Sequence, residues 1–134
     1  MKVSAIDHIN IQTHRLPDTV AFFVDVLGLV AGPPPLGLDP KRITWMFDAN
    51  GKALIHITKP GSVSGESGEI IGSDTGALHH VAFDCSGYAP MIARLDRLAV
   101  DYRCNDVASI ALRQLFVTEP NGILLELNFR AERH

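Results

Sequence analysis

Three histidines and one glutamate of this chain have the residue types that form metal sites. Imidazole nitrogens and a carboxylate oxygen together suit a borderline divalent ion such as Zn, Ni, Fe, Co or Mn. Four such ligands leave coordination positions for water or a substrate, so the chemistry would be that of a metal acting as a Lewis acid. The predicted metal ligands are His8, His56, His80 and Glu126.

These four residues occupy matching places in two copies of one sequence unit. His8 and His80 lie in the similar segments Asp-His-Ile-Asn-Ile and His-His-Val-Ala-Phe, at an offset of 72 residues. His56 and Glu126 each follow an Asn-Gly pair and match at an offset of 70 residues. The chain is therefore predicted to contain a repeated half-domain, with one pair of ligands in each copy.

Each copy is predicted to carry one helix, at residues 19–27 in the first and 91–98 in the second. Pro17 and Pro90 stand where a helix begins, because a missing N–H costs little in the first turn. Gly28 supplies a left-handed end for the first helix. Apolar side chains at helical spacing predict the buried stripes Val20, Phe23, Val24 and Leu27, and Met91, Leu95 and Leu98.

Strands are predicted around these helices, which makes the fold α+β. Those that follow the helices are at 43–47, 53–58, 112–117 and 123–129. Asn50-Gly51 and Asn121-Gly122, 71 residues apart, predict hairpin turns because both residues of such a pair tolerate positive φ. Residues 32–37 are predicted to form a rigid extended connector, and the Gly- and Ser-rich residues 61–76 a linker.

Alternation along the strands places the candidate ligands on one face of a sheet. Ile9 and Ile11 point away from His8, and the same rule separates the apolar and polar residues of the other strands. The face without helices would then be polar, either solvated or lining a cavity, and its histidines favour a cavity. Asn10, Thr58, Asp84 and Asn128 share that face. His14 and His79 are assigned to ordinary surface positions.

Composition limits the classes of protein to consider. A chain of 134 residues with 46% hydrophobic content supports one domain, and a formal net charge of -3 without a basic run argues against nucleic acid and membrane partners. The first residues lack the apolar core of a signal peptide, so we expect a cytoplasmic protein. Cys85 and Cys104 are predicted to be reduced structural thiols.

The motifs described above resemble those of the vicinal oxygen chelate superfamily, which contains glyoxalases, bleomycin resistance proteins and extradiol dioxygenases. The resemblance rests on Asp-His-Ile-Asn-Ile, Val-Leu-Gly-Leu, His-Val-Ala-Phe and Glu-Pro-Asn-Gly before Leu-Glu-Leu, and it covers essentially the whole chain. It implies two βαβββ modules whose curved mixed sheets surround a divalent metal, and a homodimer. In that family the first and last strands of each module carry the ligands, which correspond here to His8, His56, His80 and Glu126.

The resemblance also implies a domain organisation. Residues 1–134 would form a single vicinal oxygen chelate domain, with module one at about 1–60, the linker at about 61–76 and module two at about 77–130. Small bacterial glyoxalase I enzymes usually have Glu where this chain has His56, so only Glu126 remains as a carboxylate ligand.

We therefore expect a divalent-metal-dependent enzyme of the glyoxalase-like type, a lyase or isomerase. It would chelate a small substrate through adjacent oxygens and catalyse proton transfer, with His56 and Glu126 as catalytic residues. One alternative is an Fe(II) extradiol-type ring-cleaving dioxygenase, in which His8, His80 and Glu126 form the metal triad and His56 stands beside it.

A second alternative is a small-molecule binding or resistance protein. Trp45, otherwise assigned to packing, would then stack on the ligand, with Gln114 or Arg113 donating hydrogen bonds. Bleomycin resistance members of the superfamily hold their ligand without the metal-binding set, so the intact set of this chain favours the enzyme.

Overall fold

The structure, a computed structural model, describes residues 1–62 and 74–131 of the chain. Most of the predicted linker at 61–76 therefore lies outside the described residues. The chain divides into two compact units, Met1–Ile71 and Gly72–His134. No described helix is both long and apolar enough to cross a membrane.

The first unit contains one helix and a four-stranded mixed sheet. Its strand order is β1-β4-β3-β2, with β1 parallel to β4 and the other pairs antiparallel. Its elements are β1 (Ile9–Gln12), α1 (Leu16–Asp25), β2 (Val30–Gly32), β3 (Ile43–Phe47) and β4 (Ala53–Thr58).

The second unit repeats this arrangement. Its strand order is β5-β8-β7-β6, with β5 parallel to β8 and the other pairs antiparallel. Its elements are β5 (Val81–Cys85), α2 (Tyr88–Arg97), β6 (Arg103–Val107), β7 (Leu112–Thr118) and β8 (Leu124–Arg130). The predicted pair of βαβββ modules is confirmed.

Helix α1 packs on its own sheet with a stripe that differs from the predicted one. The buried residues are Leu16, Thr19, Phe23 and Val26, whereas Val24 is 37% exposed. Thr19 can be buried because its hydroxyl donates to the Arg15 carbonyl at 2.8 Å. The prediction used apolar residues only, so it included Val24 and omitted Thr19.

Two edge strands, β2 and β6, were not predicted as strands. All residues of β6 except Val107 are exposed, and Gly32, assigned to the connector at 32–37, ends β2. An edge strand pairs on one side only and need not alternate apolar and polar residues, so it leaves a weak pattern in the sequence.

The two Asn-Gly turns are where the sequence predicted them, but their geometry differs. Only the glycines have positive φ, 79° at Gly51 and 89° at Gly122. The N–H of Gly51 donates to the carbonyl of Asp48 at 3.0 Å, and that of Gly122 to Glu119 at 2.9 Å. Each turn is therefore four residues closed by a left-handed glycine, a common hairpin form, and not a two-residue turn.

The predicted alternation of faces along the strands is confirmed. The apolar series that faces the helices is almost fully buried: Ile11, Ile55, Ile57, Leu125, Leu127 and Phe129 are each at most 4% exposed. Burial of one such side chain stabilises the fold by roughly 1.5–3 kcal/mol, and a register slip of one residue would expose the whole series. This penalty fixes which side chains lie on the opposite face.

The two cysteines are free thiols, as the sequence predicts. Cys104 is exposed, and burial raises the pKa of Cys85 to about 11. A thiol with so high a pKa stays protonated and unreactive at neutral pH.

Candidate metal centre

The two pairs of candidate ligands occupy equivalent register positions in the two sheets. In the first unit Asn10 is the cross-strand partner of His56, and in the second Ala82 is the partner of Glu126. His8 and His80 each lie two residues before those partners, just ahead of β1 and β5. Backbone pairing therefore reproduces the sequence repeat and places one histidine next to one last-strand ligand in each module.

His56 lies in the middle of a stack of three rings in the first unit. Its imidazole stacks on that of His8 with ring centroids 3.7 Å apart and an interplanar angle of 15°. On its other side the Trp45 indole lies at 4.0 Å and 7°. Trp45 is the cross-strand partner of His56 on β3, which accounts for the contact. The stack restricts the orientation of the His56 ring.

The carboxylate of Asp7 holds the His8 ring through its Nδ1 nitrogen. This nitrogen lies 2.6 Å from Oδ2 of Asp7, and this hydrogen bond lowers the pKa of Asp7. An ionised carboxylate only accepts hydrogen bonds, so Nδ1 of His8 is the donor and Nε2 remains for another partner. A carboxylate on the far nitrogen is the usual partner of a metal-binding histidine.

The pKa of His56 is lowered from its ordinary value of 6.5. Burial is the largest cause, and the second is repulsion between a protonated His56 and a positively charged His8. A lowered pKa favours the neutral imidazole at neutral pH. Neutral imidazole is the form that binds a metal or accepts a proton.

In the second unit His80 and Glu126 form the corresponding pair. Nε2 of His80 lies 3.7 Å from Oε1 of Glu126, beyond hydrogen-bond distance. The Glu126 side chain is only 13% exposed and that of His80 is 37% exposed. The two donor atoms face each other without being hydrogen-bonded, a separation that suits two groups which share a cation.

A chain of amide hydrogen bonds fixes the Glu126 carboxylate. Asn128 donates from Nδ2 to Oε2 of Glu126 at 3.0 Å, and Gln114 donates to Oδ1 of Asn128 at 3.1 Å. Asn105 in turn donates to Oε1 of Gln114 at 2.8 Å. Asn105, Gln114 and Asn128 are cross-strand partners on β6, β7 and β8, so the sheet register builds the chain.

One member of this surrounding network, Asn105, was missed from the sequence because it lies on the unpredicted edge strand β6. His79 is exposed, as predicted. Its Nδ1 lies 2.9 Å from Nδ1 of His80, so one ring donates to the other.

Arg113 lies on the other face from Gln114, so its predicted role in ligand binding is wrong. Its guanidinium lies 4.3 Å from the ring centroid of Tyr88 at the start of α2, and 4.0 Å from Asp106. Alternation along β7 sends Arg113 and Gln114 to opposite sides of the sheet. Of these two residues, only Gln114 lies on the polar face with Glu126.

The structure thus places the candidate ligands in two pairs, His8 with His56 and His80 with Glu126. Across residues 1–62 and 74–131, no three His, Cys, Asp or Glu side chains form a group that could hold a metal. The donor chemistry of the pairs nevertheless fits a divalent ion, because three imidazoles and an oriented carboxylate are typical ligands.

Comparison with known proteins identifies the fold. No protein-family model matches the chain, and a search of curated protein sequences finds no match. Solved structures do match. A glyoxalase/dioxygenase from Nostoc punctiforme has a TM-score of 0.72 at 15% identity, with 96% of this chain and 92% of that one covered. This chain has the fold of the vicinal oxygen chelate superfamily.

Two further structures with this vicinal oxygen chelate fold belong to proteins named for different activities. A fosfomycin resistance protein from Listeria monocytogenes has a TM-score of 0.67 at 15% identity, covering 98% of this chain and 97% of that one. Lactoylglutathione lyase from Agrobacterium tumefaciens has a TM-score of 0.64 at 16% identity, covering 96% and 95%. The fold is therefore shared across activities, and the site residues must identify the chemistry.

Proposed function

We propose that this protein is a divalent-metal-dependent enzyme that binds a small substrate through two adjacent oxygens and catalyses proton transfer, as a lyase or isomerase. The observation that carries the proposal is the equivalence of the two ligand pairs. His8 with His56, and His80 with Glu126, occupy the same register positions in two modules of one fold. Two modules that each present a pair of metal-binding groups at the same place would together supply one four-ligand site.

The metal would be held by His8, His56, His80 and Glu126, and Zn, Ni, Fe, Co and Mn all suit such a set. When bound, the ion supplies a Lewis acid for the negative charge that develops on the substrate oxygens. The residues around the pairs prepare the ligands. Asp7 holds the proton on Nδ1 of His8, and Asn128 orients the Glu126 carboxylate.

His56 and Glu126 are the proposed groups that move the proton. The lowered pKa of His56 keeps its imidazole neutral and able to accept a proton at neutral pH. The Trp45 ring covers one face of that imidazole and limits its contact with water. The Glu126 carboxylate is 13% exposed, and its free oxygen would accept a proton whenever it is not bound to the metal. Either group would remove a proton from the carbon beside a substrate carbonyl.

The ring stack also favours a second candidate, an Fe(II) ring-cleaving dioxygenase. His8, His80 and Glu126 would then be the metal ligands, with His56 left as the acid-base group next to them. Of the two tyrosines, Tyr102 donates to Asp96 at 2.9 Å and Tyr88 contacts Phe129 on the helix side of its sheet. Because the Tyr102 hydroxyl is engaged by Asp96 and Tyr88 lies on the helix side, His56 is the proposed acid-base group.

The assembly proposed with this activity is a homodimer, on the resemblance to the superfamily. The proposed partner is a small-molecule substrate.

One experiment separates the candidates. Chelator-treated protein is reloaded with Ni(II), Co(II) or Fe(II), and hydroxyacetone in deuterated water is followed by NMR for exchange of its carbon-bound protons. We expect anaerobic exchange with Ni(II) or Co(II) that exceeds the metal-free rate and falls at least about tenfold in His56→Ala. His14→Ala, which changes an exposed histidine, is the matched control.

Exchange no faster than that of the metal-free protein under all three metals would overturn the lyase or isomerase proposal. Oxygen uptake with Fe(II) and catechol would instead support the dioxygenase. Saturable binding of a small molecule to metal-free protein without any turnover would support the binding or resistance alternative.

A further inference from the structure

A groove of about 460 Å³ opens in the second unit. Its apolar lining comes from Val100, Phe116 and Leu124, and its polar lining includes Asp101, Arg103 and Thr118. A volume of this order matches the smaller pockets that hold organic ligands in proteins. The groove combines an aromatic surface with one cation and one carboxylate.

Sheet register places the groove on the same face as Glu126. Phe116 is the cross-strand partner of Glu126, and Leu124 precedes Glu126 by two residues on β8. Side chains two apart on a strand share a face, so Leu124, Phe116 and Glu126 lie side by side. A molecule that extends along this face from Glu126 over Phe116 therefore enters the groove.

Arg103 is the cation of the groove and is set on its aromatic surface. It is the cross-strand partner of Phe116, and its guanidinium lies 4.4 Å from the centroid of that ring. Such stacking uses the face of the guanidinium and leaves the N–H groups at its edge able to meet an anion. Within the part of the chain that the structure describes, no carboxylate forms an ion pair with Arg103, whereas Arg113 and Arg130 each have one.

The first module lacks a counterpart to this cation. Gly32 occupies the position equivalent to Arg103, because it pairs with Trp45 as Arg103 pairs with Phe116. A Cβ at Gly32 would lie 2.8 Å from Cε2 of Phe47, so a side chain there requires that ring to move. The sheet repeat thus provides an arginine beside one ligand pair only, which marks one module as the anion-binding side.

We propose that this groove binds the part of the substrate remote from its chelating oxygens, and that this part is a single carboxylate attached to an apolar or aromatic group. The inference deepens the proposed function and rests on it for the role of Glu126. Arg103 binds the carboxylate through paired N–H groups, and Phe116 and Leu124 pack against the apolar portion. Asp101 repels a second negative charge, so the groove selects a monoanion over a dianion.

The test measures binding to metal-free protein by the amide NMR shifts of residues 100–103, 116 and 118. The probes are phenylacetate and its neutral counterpart phenylacetamide. We expect phenylacetate to shift these resonances and to bind about tenfold more tightly than the amide. Arg103→Gln should remove this preference, Arg103→Lys should retain part of it, and Asp101→Asn should strengthen phenylacetate binding. Arg97→Gln, an exposed arginine of α2, is the matched control.

Equal binding of the two probes, or unchanged phenylacetate binding in Arg103→Gln, would overturn the inference. Because this experiment contains no metal, its failure leaves the metal proposal to be judged by metal content and proton exchange. Conversely, an Arg103-dependent preference in a protein that never binds metal would establish the groove and refute the proposed function.

Discussion

The Trp45 indole lies parallel to the His56 imidazole, with ring centroids 4.0 Å apart and an angle of 7° between the planes. Trp45 is the one tryptophan of the chain, so its emission reports on His56 without engineering. We predict that Co(II) or Ni(II) quenches this emission saturably in metal-free protein, because the ion would bind the ring that stacks on the indole.

The fluorescence titration has matched histidine variants. His56→Ala should abolish the saturable quenching, and His14→Ala should leave it unchanged. Quenching that persists in His56→Ala, or wild-type emission that does not respond to either ion, would remove His56 from the metal site.

The pH dependence of the same emission should follow His56. Its pKa is lowered by burial and by His8, so protonation in metal-free protein is expected at a midpoint below 6.5. His8→Ala should raise the midpoint because it removes a positive charge, and Asp7→Asn should lower it because Asp7 favours the protonated form. A midpoint above 6.5, or no response to His8→Ala, would contradict the assigned causes.

The lowered pKa of His56 should make the free energy of unfolding depend on pH. A histidine whose pKa is lowered in the folded state binds protons more readily when unfolded. The stability that depends on neutral His56 is therefore complete above pH 6.5 and is lost as pH falls towards the lowered pKa. Urea unfolding across this range should show a smaller acid loss in His56→Gln than in the wild type.

The amide chain behind Glu126 should control metal affinity. Asn128→Ala removes the donor to Oε2, and loss of such a supporting hydrogen bond typically weakens metal binding about 10- to 100-fold. Asn105→Ala, at the far end of the chain, should have a smaller effect. Competition with a chelating dye measures both affinities. Equal affinities in the wild type and Asn128→Ala would show that the chain does not position the ligand.

Glu119 provides a contrast, since it is a buried glutamate with a structural role. It is 2% exposed, and Oε1 accepts the backbone N–H groups of Asn121 at 2.7 Å and Ile123 at 3.0 Å. Glu119→Ala leaves these donors unsatisfied and should lower the free energy of unfolding by about 2–4 kcal/mol. Urea unfolding measures this loss. Metal content should stay at the wild-type level in the protein that remains folded.

Much of this fold was predictable because the sequence carries it twice. The offset between His8 and His80 predicted the repeated module, and the alternation of apolar and polar residues predicted the strand faces, which the burial of Ile55 and Leu125 confirms. The ring stack on His56 was not predicted, because cross-strand contacts depend on a register that no local pattern specifies. Trp45 was therefore assigned to packing or to stacking on a ligand, and not to a contact with His56.

The edge strands were the other source of error. Asn105 and Arg103 lie on β6, where exposure removes the alternation that marks a strand. The outermost amide of the chain behind Glu126 and the cation of the groove were both hidden for that reason, whereas Asn128 was placed on the polar face from the sequence. The four candidate ligands and the face shared by Asn128 could be proposed from residue type, repeat and strand alternation, whereas the ring stack on His56 and the role of Asn105 required the structure.

The central claim is that His8, His56, His80 and Glu126 bind one metal ion together. It is tested most directly by elemental analysis of protein purified under metal-replete, anaerobic conditions, with His8→Ala and Glu126→Ala as variants from the two modules and His14→Ala as the control. The account predicts about one equivalent of metal per chain in the wild type and the control, and loss of most of it in both variants. A metal-free wild type, or full metal content in either variant, would contradict it.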